Sequence, residues 1–316
     1  MNLRGATTGI YLEDASESVL NTTCNYDQRL VMLNGRSMAL RYISRPFHRP
    51  LLPCVRVLKL RQGRFLKLLK TGNPSPLAAA LKVEKLHYAY GKHTALDSIS
   101  LAVPQGAFCA LLGLNGAGKS TLFAVLSGLL VSSDAGVFVN GIDLSAKPRL
   151  ALGQMGIVFQ ETTLDLDLSV RRNLQYFASL QGMSSKTAAI AIDRAMDRLE
   201  IRDRASDRAR DLNGGHRRRV EIARALLHSP KIVLLDEPTV GLDPASRAAI
   251  TDHVHALCAE EGISVLWATH LVDEVWPEDN LVILHKGKVL YDGLAKTLGN
   301  DGSMSETFLD MTAATA

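Results

Sequence analysis

Gly113-Leu114-Asn115-Gly116-Ala117-Gly118-Lys119-Ser120-Thr121 follows an apolar run at residues 108–112 and precedes a helix-like stretch at 122–130. This is the G-x-x-x-x-G-K-[ST] spacing of a phosphate-binding loop, in the setting of strand, loop and helix that the loop needs. Glycines at 113, 116 and 118 let the backbone curl so that successive N–H groups point inward at phosphate oxygens. The following helix adds its positive N-terminal end. Lys119 is then expected to reach the β- and γ-phosphates, and Ser120 to place its hydroxyl on Mg²⁺.

A chain of 316 residues is about two domain lengths at ~150 residues each, and no apolar run approaches the ~18 residues of a membrane span. Cys24, Cys54, Cys109 and Cys258 lie far apart with no C-x-x-C pair, so neither a disulfide framework nor a zinc site is suggested, and a reducing cytosol is the default. The net charge of +4 is unevenly spread: residues 1–76 hold 12 Lys and Arg against 4 Asp and Glu, and ten cations with no acid lie between Arg36 and Lys70. Pro46, Pro50, Pro53, Pro74 and Pro76 break this leader, and no strand or helix period runs through its first fifty residues. It reads as a basic N-terminal extension, disordered or wrongly assigned, with a domain boundary near Pro76. Residues 55–70 admit two other readings, a basic amphipathic helix on anionic lipid or an Arg-rich targeting peptide.

From Leu81 onward strand and helix signals alternate. Strands are expected at 81–90, 99–103, 107–112, 137–140, 232–235 and 263–268, helices at 217–227 and 244–260, and a hairpin at 281–290 turning at Lys286-Gly287, with a short apolar run at 157–159 ending at Gln160. Residues 167–208 change character, with Ile192, Met196 and Leu199 at helical spacing, and read as a mostly helical insert. Alternation of this length implies a parallel α/β sheet covered on both faces.

Two further constellations carry chemistry. The apolar run 232–235 leads into Asp236-Glu237-Pro238-Thr239, so two carboxylates emerge at the C-terminal end of a central strand, where open α/β sheets bind ligands. Asp236 is placed to hold Mg²⁺ through water, and Glu237, pointing to the other side, to polarise an attacking water. Leu212-Asn213-Gly214-Gly215-His216 opens a helix whose first turn offers free N–H groups to an anion.

Taken together, these motifs resemble the nucleotide-binding domain of ABC transporter ATPases. The resemblance implies an α/β fold, a P-loop NTPase with a RecA-like core, an antiparallel β subdomain and an inserted helical subdomain at about 161–212, in a domain spanning 81–312. It implies ATP and Mg²⁺ as cofactors and ATP hydrolysis as the activity. Gln160 falls at the family's Mg²⁺-sensing glutamine, which relays to the membrane partner, Tyr90 at the aromatic residue that stacks on adenine, and Asp243 in the loop crossing the dimer interface. His270 falls where a histidine contacts the γ-phosphate. The signature turn usually reads Leu-Ser-Gly-Gly-Gln, and here Asn213 replaces serine and His216 glutamine. Asparagine is an equal helix cap and its amide can donate, while His216 brings an imidazole that titrates between about pH 5 and 8.

The partners implied are a second copy, in a head-to-tail homodimer where Asn213, Gly214 and Gly215 complete the opposite site, and a separately encoded membrane permease docking near Gln160 and the insert. The location implied is peripheral, on the cytoplasmic face of the inner membrane. The wording of residues 163–170, 212–226 and 267–270 is similar to an export-type subgroup associated with PQQ-dependent alcohol dehydrogenase systems. About 23 residues follow Gly293, too few for the extra C-terminal domain of many sugar-importer ATPases, which favours export. A soluble ABC ATPase acting on ribosomes or DNA is the alternative, but such chains carry two domains or a long coiled coil, and one phosphate loop without sustained heptads stands here. The leader has few aromatics among its cations, so no nucleic acid is expected. Intact Asp236, Glu237 and His270 argue against a regulatory module that does not hydrolyse.

Overall fold

The computed structural model describes residues 79–132, 136–298 and 303–313 with their side chains, and within residues 1–78 the backbone of six short strands. Contacts divide the chain into Met1–Leu77 and Ala78–Ala316. In the first unit the strands pair as hairpins: Thr7–Ile10 with Leu20–Thr23, Leu30–Leu33 with Arg36–Ala39, and Arg56–Lys59 with Phe65–Leu68. The last pair corrects the helical reading of residues 55–70.

The second unit begins with a long antiparallel pair, β1 (Ala79–Tyr90) and β2 (His93–Pro104), followed by β3 (Phe108–Leu112), α1 (Lys119–Leu126), β4 (Gly136–Val139), β5 (Ile142–Asp143), α2 (Pro148–Leu152) and β6 (Met155–Val158). Then come α3 (Val170–Leu180), α4 (Ser185–Arg198), α5 (Gly214–Leu226), β7 (Ile232–Asp236), α6 (Pro244–Glu261) and β8 (Ser264–Thr269). The hairpin β9 (Asn280–His285) and β10 (Lys288–Leu294) leads to α7 (Ala295–Leu298) and α8 (Met304–Ala313).

Two sheets result. One is antiparallel, ordered β5-β4-β1-β2; the other has six strands in the order β6-β7-β8-β3-β9-β10, parallel except for its last pair. The strand expected at 99–103 runs back to His93 because its first residues pair with Tyr90 across the hairpin. Helix α5 starts at Gly214 rather than at 217, since the Asn213 cap compensates for the poor helix propensity of two glycines.

In β3, β7 and β8 every residue is buried, and alternate side chains enter two different cores. Phe108, Ala110, Val233, Leu235, Val265 and Trp267 pack with α3–α6, while Cys109, Leu111, Ile232, Leu234 and Leu266 pack with α1 and the antiparallel sheet. Gly156 in β6 admits the close approach of α5: a Cβ at this position would lie 2.5 Å from the Ala225 carbonyl oxygen. Overpacking of this kind costs about 1–3 kcal/mol. Gly156→Ala should therefore lower the urea midpoint by that amount of stability with an unchanged slope, whereas an unshifted midpoint would show that α5 yields freely.

Candidate active site

Four adjacent parallel strands deliver the polar residues to one edge. Beyond Val158 of β6 comes Gln160; β7 ends in Asp236 and is followed by Glu237; beyond Thr269 of β8 comes His270; beyond Leu112 of β3 comes the glycine-rich loop. The strand ends are tied level, Gly113 N–H donating to the Thr269 carbonyl at 3.1 Å and Glu237 N–H to the Ala268 carbonyl at 3.0 Å. Asp236 lies two residues beyond Leu234 and so faces the α1 side of the sheet. Glu237 breaks the alternation with φ of +45°, a left-handed conformation that is strained for a side chain of this size.

The loop curls over this edge. Gly118, the residue before α1, has φ of +108°, and a Cβ there would lie 2.9 Å from the Ala95 carbonyl oxygen, so only glycine fits. Gly287 of the β9–β10 turn donates its N–H to the Ala117 carbonyl at 2.9 Å, bracing the loop from outside. A cleft of about 550 Å³ is lined by Tyr90, Leu114, Asn115, Gly116, Ala117, Gly118, Lys119, Ser120, Thr121, Gln160 and Glu237, together with His93, Thr94, Ala95, Lys286 and Gly287. Gly113 does not line the cleft, but its carbonyl accepts from Lys119. Tyr90 is half exposed and meets Tyr88 edge-on with ring centroids 5.1 Å apart. A larger hollow of about 710 Å³ near Lys82, Lys85 and Ser100 has no phosphate loop and none of these carboxylates, so the chemistry points to the smaller cleft.

Lys119, Glu237 and His270 meet at this edge. Lys119 Nζ donates to the Gly113 carbonyl at 2.6 Å and pairs with Glu237 Oε1 at 3.0 Å, while Glu237 Oε2 stands 2.7 Å from His270 Nδ1. A carboxylate only accepts, so Nδ1 carries the proton. Asp236 is buried with its Oδ1 lacking any hydrogen-bond partner. Burial, and then the neighbouring Glu237 charge, push its pKa up to about 6, against the opposing pull of Lys119 and Arg218.

Asn213, Gly214 and Gly215 do not line the cleft. Asn213 Oδ1 accepts from both the His216 backbone N–H and its ring Nδ1, each at 2.8 Å, and this caps α5. The two glycines pack against Leu242 and Ser246, beside Asp243, whose carboxylate caps α6.

The comparisons with known proteins agree with this geometry. A family profile described as ABC transporter matches residues 96–240. The Nod factor export ATP-binding protein I of Neorhizobium galegae is 34% identical over 239 residues, covering 74% of this chain and 69% of that protein. The chain belongs to the ABC transporter ATP-binding family. The linearmycin resistance ATP-binding protein LnrL of Bacillus subtilis (strain 168) is likewise 34% identical, covering 70% of this chain and 72% of that one. A solved ATP-binding cassette of an ABC transporter in its ADP conformation superposes with a TM-score of 0.64 at 26% identity, covering 73% of this chain and 98% of that one. The protein is thus an ABC ATPase, a nucleotide-binding, ATP-hydrolysing subunit that serves a separate membrane permease. Among the described residues no helix is long and apolar enough to cross a membrane.

Sequence reasoning overlooked several buried charges of this ABC ATPase. Glu274 accepts from Trp267 Nε1 at 3.0 Å and from the Thr239 hydroxyl, tying the turn after Glu237 to the segment after His270. Arg218 and Glu221 pair at 2.7 Å inside α5. Their i,i+3 spacing was a signal, masked by the cationic run around it.

The raised pKa of Asp236 has a defined effect on stability. Folding raises this pKa, so the native state holds the proton more tightly between pH 4 and 6, and stability falls as pH rises through that window before levelling off. Asp236→Asn removes the charge. In nucleotide-free protein it should stabilise by up to about 3 kcal/mol at pH 8 and by little near pH 4; an equal effect at both pH values would contradict the burial argument.

Proposed function

We propose that this ATPase works as a homodimer on the cytoplasmic face of the inner membrane of a bacterium, closing on two ATP molecules and driving export through its permease. The observation that carries the catalytic reading is Glu237, a strained, buried carboxylate held between Lys119 and His270 beside the unpaired oxygen of Asp236. Residues 81–312 form the ATP-binding domain, with 161–212 as its helical insert, and residues 1–76 are a separate basic extension. The names of relatives concerned with export and resistance support the direction of transport. The wording of residues 163–170, 212–226 and 267–270 extends the proposal to the subgroup associated with PQQ-dependent alcohol dehydrogenase systems.

Among the described residues there is no cluster of three or more His, Cys, Asp or Glu that makes a metal cage. An orphaned buried carboxylate oxygen on Asp236 suits Mg²⁺, which takes one or two protein oxygens and completes its shell from phosphate and water. Asp236, Ser120 and Gln160 would hold it, and when bound it neutralises charge on the β- and γ-phosphates.

The residues of the chain divide the remaining work. Tyr90 offers its face to the adenine, and residues 113–121 wrap the phosphates with backbone N–H groups. Lys119 exchanges its contacts with the Gly113 carbonyl and Glu237 for phosphate oxygens. That exchange frees Glu237 Oε1 to accept a proton from water, whose oxygen attacks the γ-phosphorus as ADP leaves. His270 keeps Glu237 oriented through Nδ1 and stands to contact the γ-phosphate. Asn213 spends its oxygen on the cap, leaving its amide N–H as the donor that, with Gly214 and Gly215, meets the γ-phosphate bound by the partner copy.

Glu237→Gln should retain ATP binding while slowing hydrolysis by about 10²–10⁴-fold in the presence of the permease. Turnover at the wild-type rate would remove Glu237 as the base. Lys119→Ala should lose nucleotide affinity in an equilibrium titration, and an unchanged dissociation constant would contradict the loop assignment.

A further inference from the structure

We propose that Arg218 and Glu221, paired inside α5, are positioning residues that strap the Gln160 loop to the signature helix and so hold the Gln160 side chain at the metal-bearing edge of the sheet. The inference rests on the reading of Gln160 as a metal-binding residue and adds to it the groups that set its position.

Gln160 is exposed at the cleft, and among the described residues no hydrogen bond holds its side-chain amide; the backbone around it is what is fixed. Arg218 Nη2 donates to the Gln160 carbonyl at 2.9 Å, and Nη1 donates to the Phe159 carbonyl at 2.8 Å and to Glu221 Oε2 at 2.7 Å. The other oxygen of Glu221 accepts from the Thr163 N–H at 3.0 Å. One ion pair therefore grips both ends of residues 159–163. Arg224, one turn further along α5, donates to the Thr163 carbonyl at 3.2 Å and lies 4.2 Å from the centre of the Phe177 ring on α3. The same helix opens with Asn213, Gly214 and Gly215, so a displacement of the signature turn carries Gln160 with it.

Stability is a poor explanation for this pair. Arg218 is 7% and Glu221 1% exposed, and burial pushes the Glu221 pKa up and the Arg218 pKa down, with the opposite charge as the leading counter-effect in each. Apolar pairs of similar volume at such places are often no less stable. What an apolar pair lacks is the directed set of donors and acceptors that fixes the loop backbone.

The test uses the full-length chain as Arg218→Met and as the double variant Arg218→Met/Glu221→Met, the latter leaving no unpaired buried charge should the single variant not fold. Amide hydrogen exchange without nucleotide should accelerate within residues 159–163 while the amides of β7 and β8 keep wild-type protection. The Mg²⁺ concentration for half-maximal ATP turnover should rise about tenfold. In a Gln160→Ala background the same substitutions should shift it less than about twofold, because the group they position is gone. Unchanged exchange in residues 159–163, or a shift that multiplies in full on Gln160→Ala, overturns the strap. If Gln160→Ala alone leaves the Mg²⁺ requirement at its wild-type value, the reading of Gln160 itself fails, and the strap's proposed purpose with it.

Discussion

Every polar group of the cleft stands where a strand buried on both faces runs out. A parallel strand in the middle of such a sheet has no solvated side, so β3, β7 and β8 are apolar throughout except at their ends. Charged residues are admitted only at the C-terminal edge, and because neighbouring strands are in register they are admitted side by side. The level ends of β6, β7, β8 and β3 therefore bring Gln160, Asp236, Glu237, His270 and the loop together, although up to 157 positions separate them in the sequence. The alternation that fills two hydrophobic cores also decides that Asp236 faces α1.

The electrostatics of that edge select what enters it. Lys119 meets Glu237, and Asp236 remains as a second negative charge without a hydrogen bond on one oxygen. Two carboxylates against one ammonium are a poor receptor for a bare polyanion, whatever the loop's N–H groups contribute. On the proposed mechanism, a triphosphate carrying its own divalent cation would supply the missing positive charge to Asp236 and draw Lys119 away from Glu237. In the structure Lys119 and His270 occupy both oxygens of Glu237.

Much of this was legible before any coordinates. The phosphate loop, the apolar run ending in Asp236-Glu237 and the alternation of strands with helices are local signals, each set by a few adjacent residues, and the core elements fall where those signals lie. Boundaries were less legible because caps and pairing partners decide them: Asn213 pulls the start of α5 back to Gly214, and Tyr90 extends β2 back to His93. The short β5, α2 and α8 lack a periodic signal. Residues 55–70 fit an amphipathic helix by composition, yet within them Arg56–Lys59 pairs with Phe65–Leu68 as antiparallel strands. The hidden part of the site is the buried charge. Arg218, Glu221 and Glu274 read as ordinary surface ions, and only tertiary contacts show that their partners are backbone groups and side chains brought from elsewhere in the chain.

The signature turn illustrates how a departure from a family pattern can keep the physics. A serine there caps the helix with one oxygen; Asn213 does the same with its carbonyl oxygen and draws the His216 ring onto that atom as well. His216 is thus turned back onto its own helix start and is not an independent group reaching outward. Two substitutions that look unrelated in the sequence form one hydrogen-bonded unit. That unit holds the carboxamide in a single orientation, because flipping it would set an amide nitrogen against the N–H of His216. The cap, the two glycines against Leu242 and Ser246, and the capped start of α6 then form a continuous packed surface. The same helix α5 joins this surface to Arg218, whose guanidinium donates to the Gln160 carbonyl at 2.9 Å.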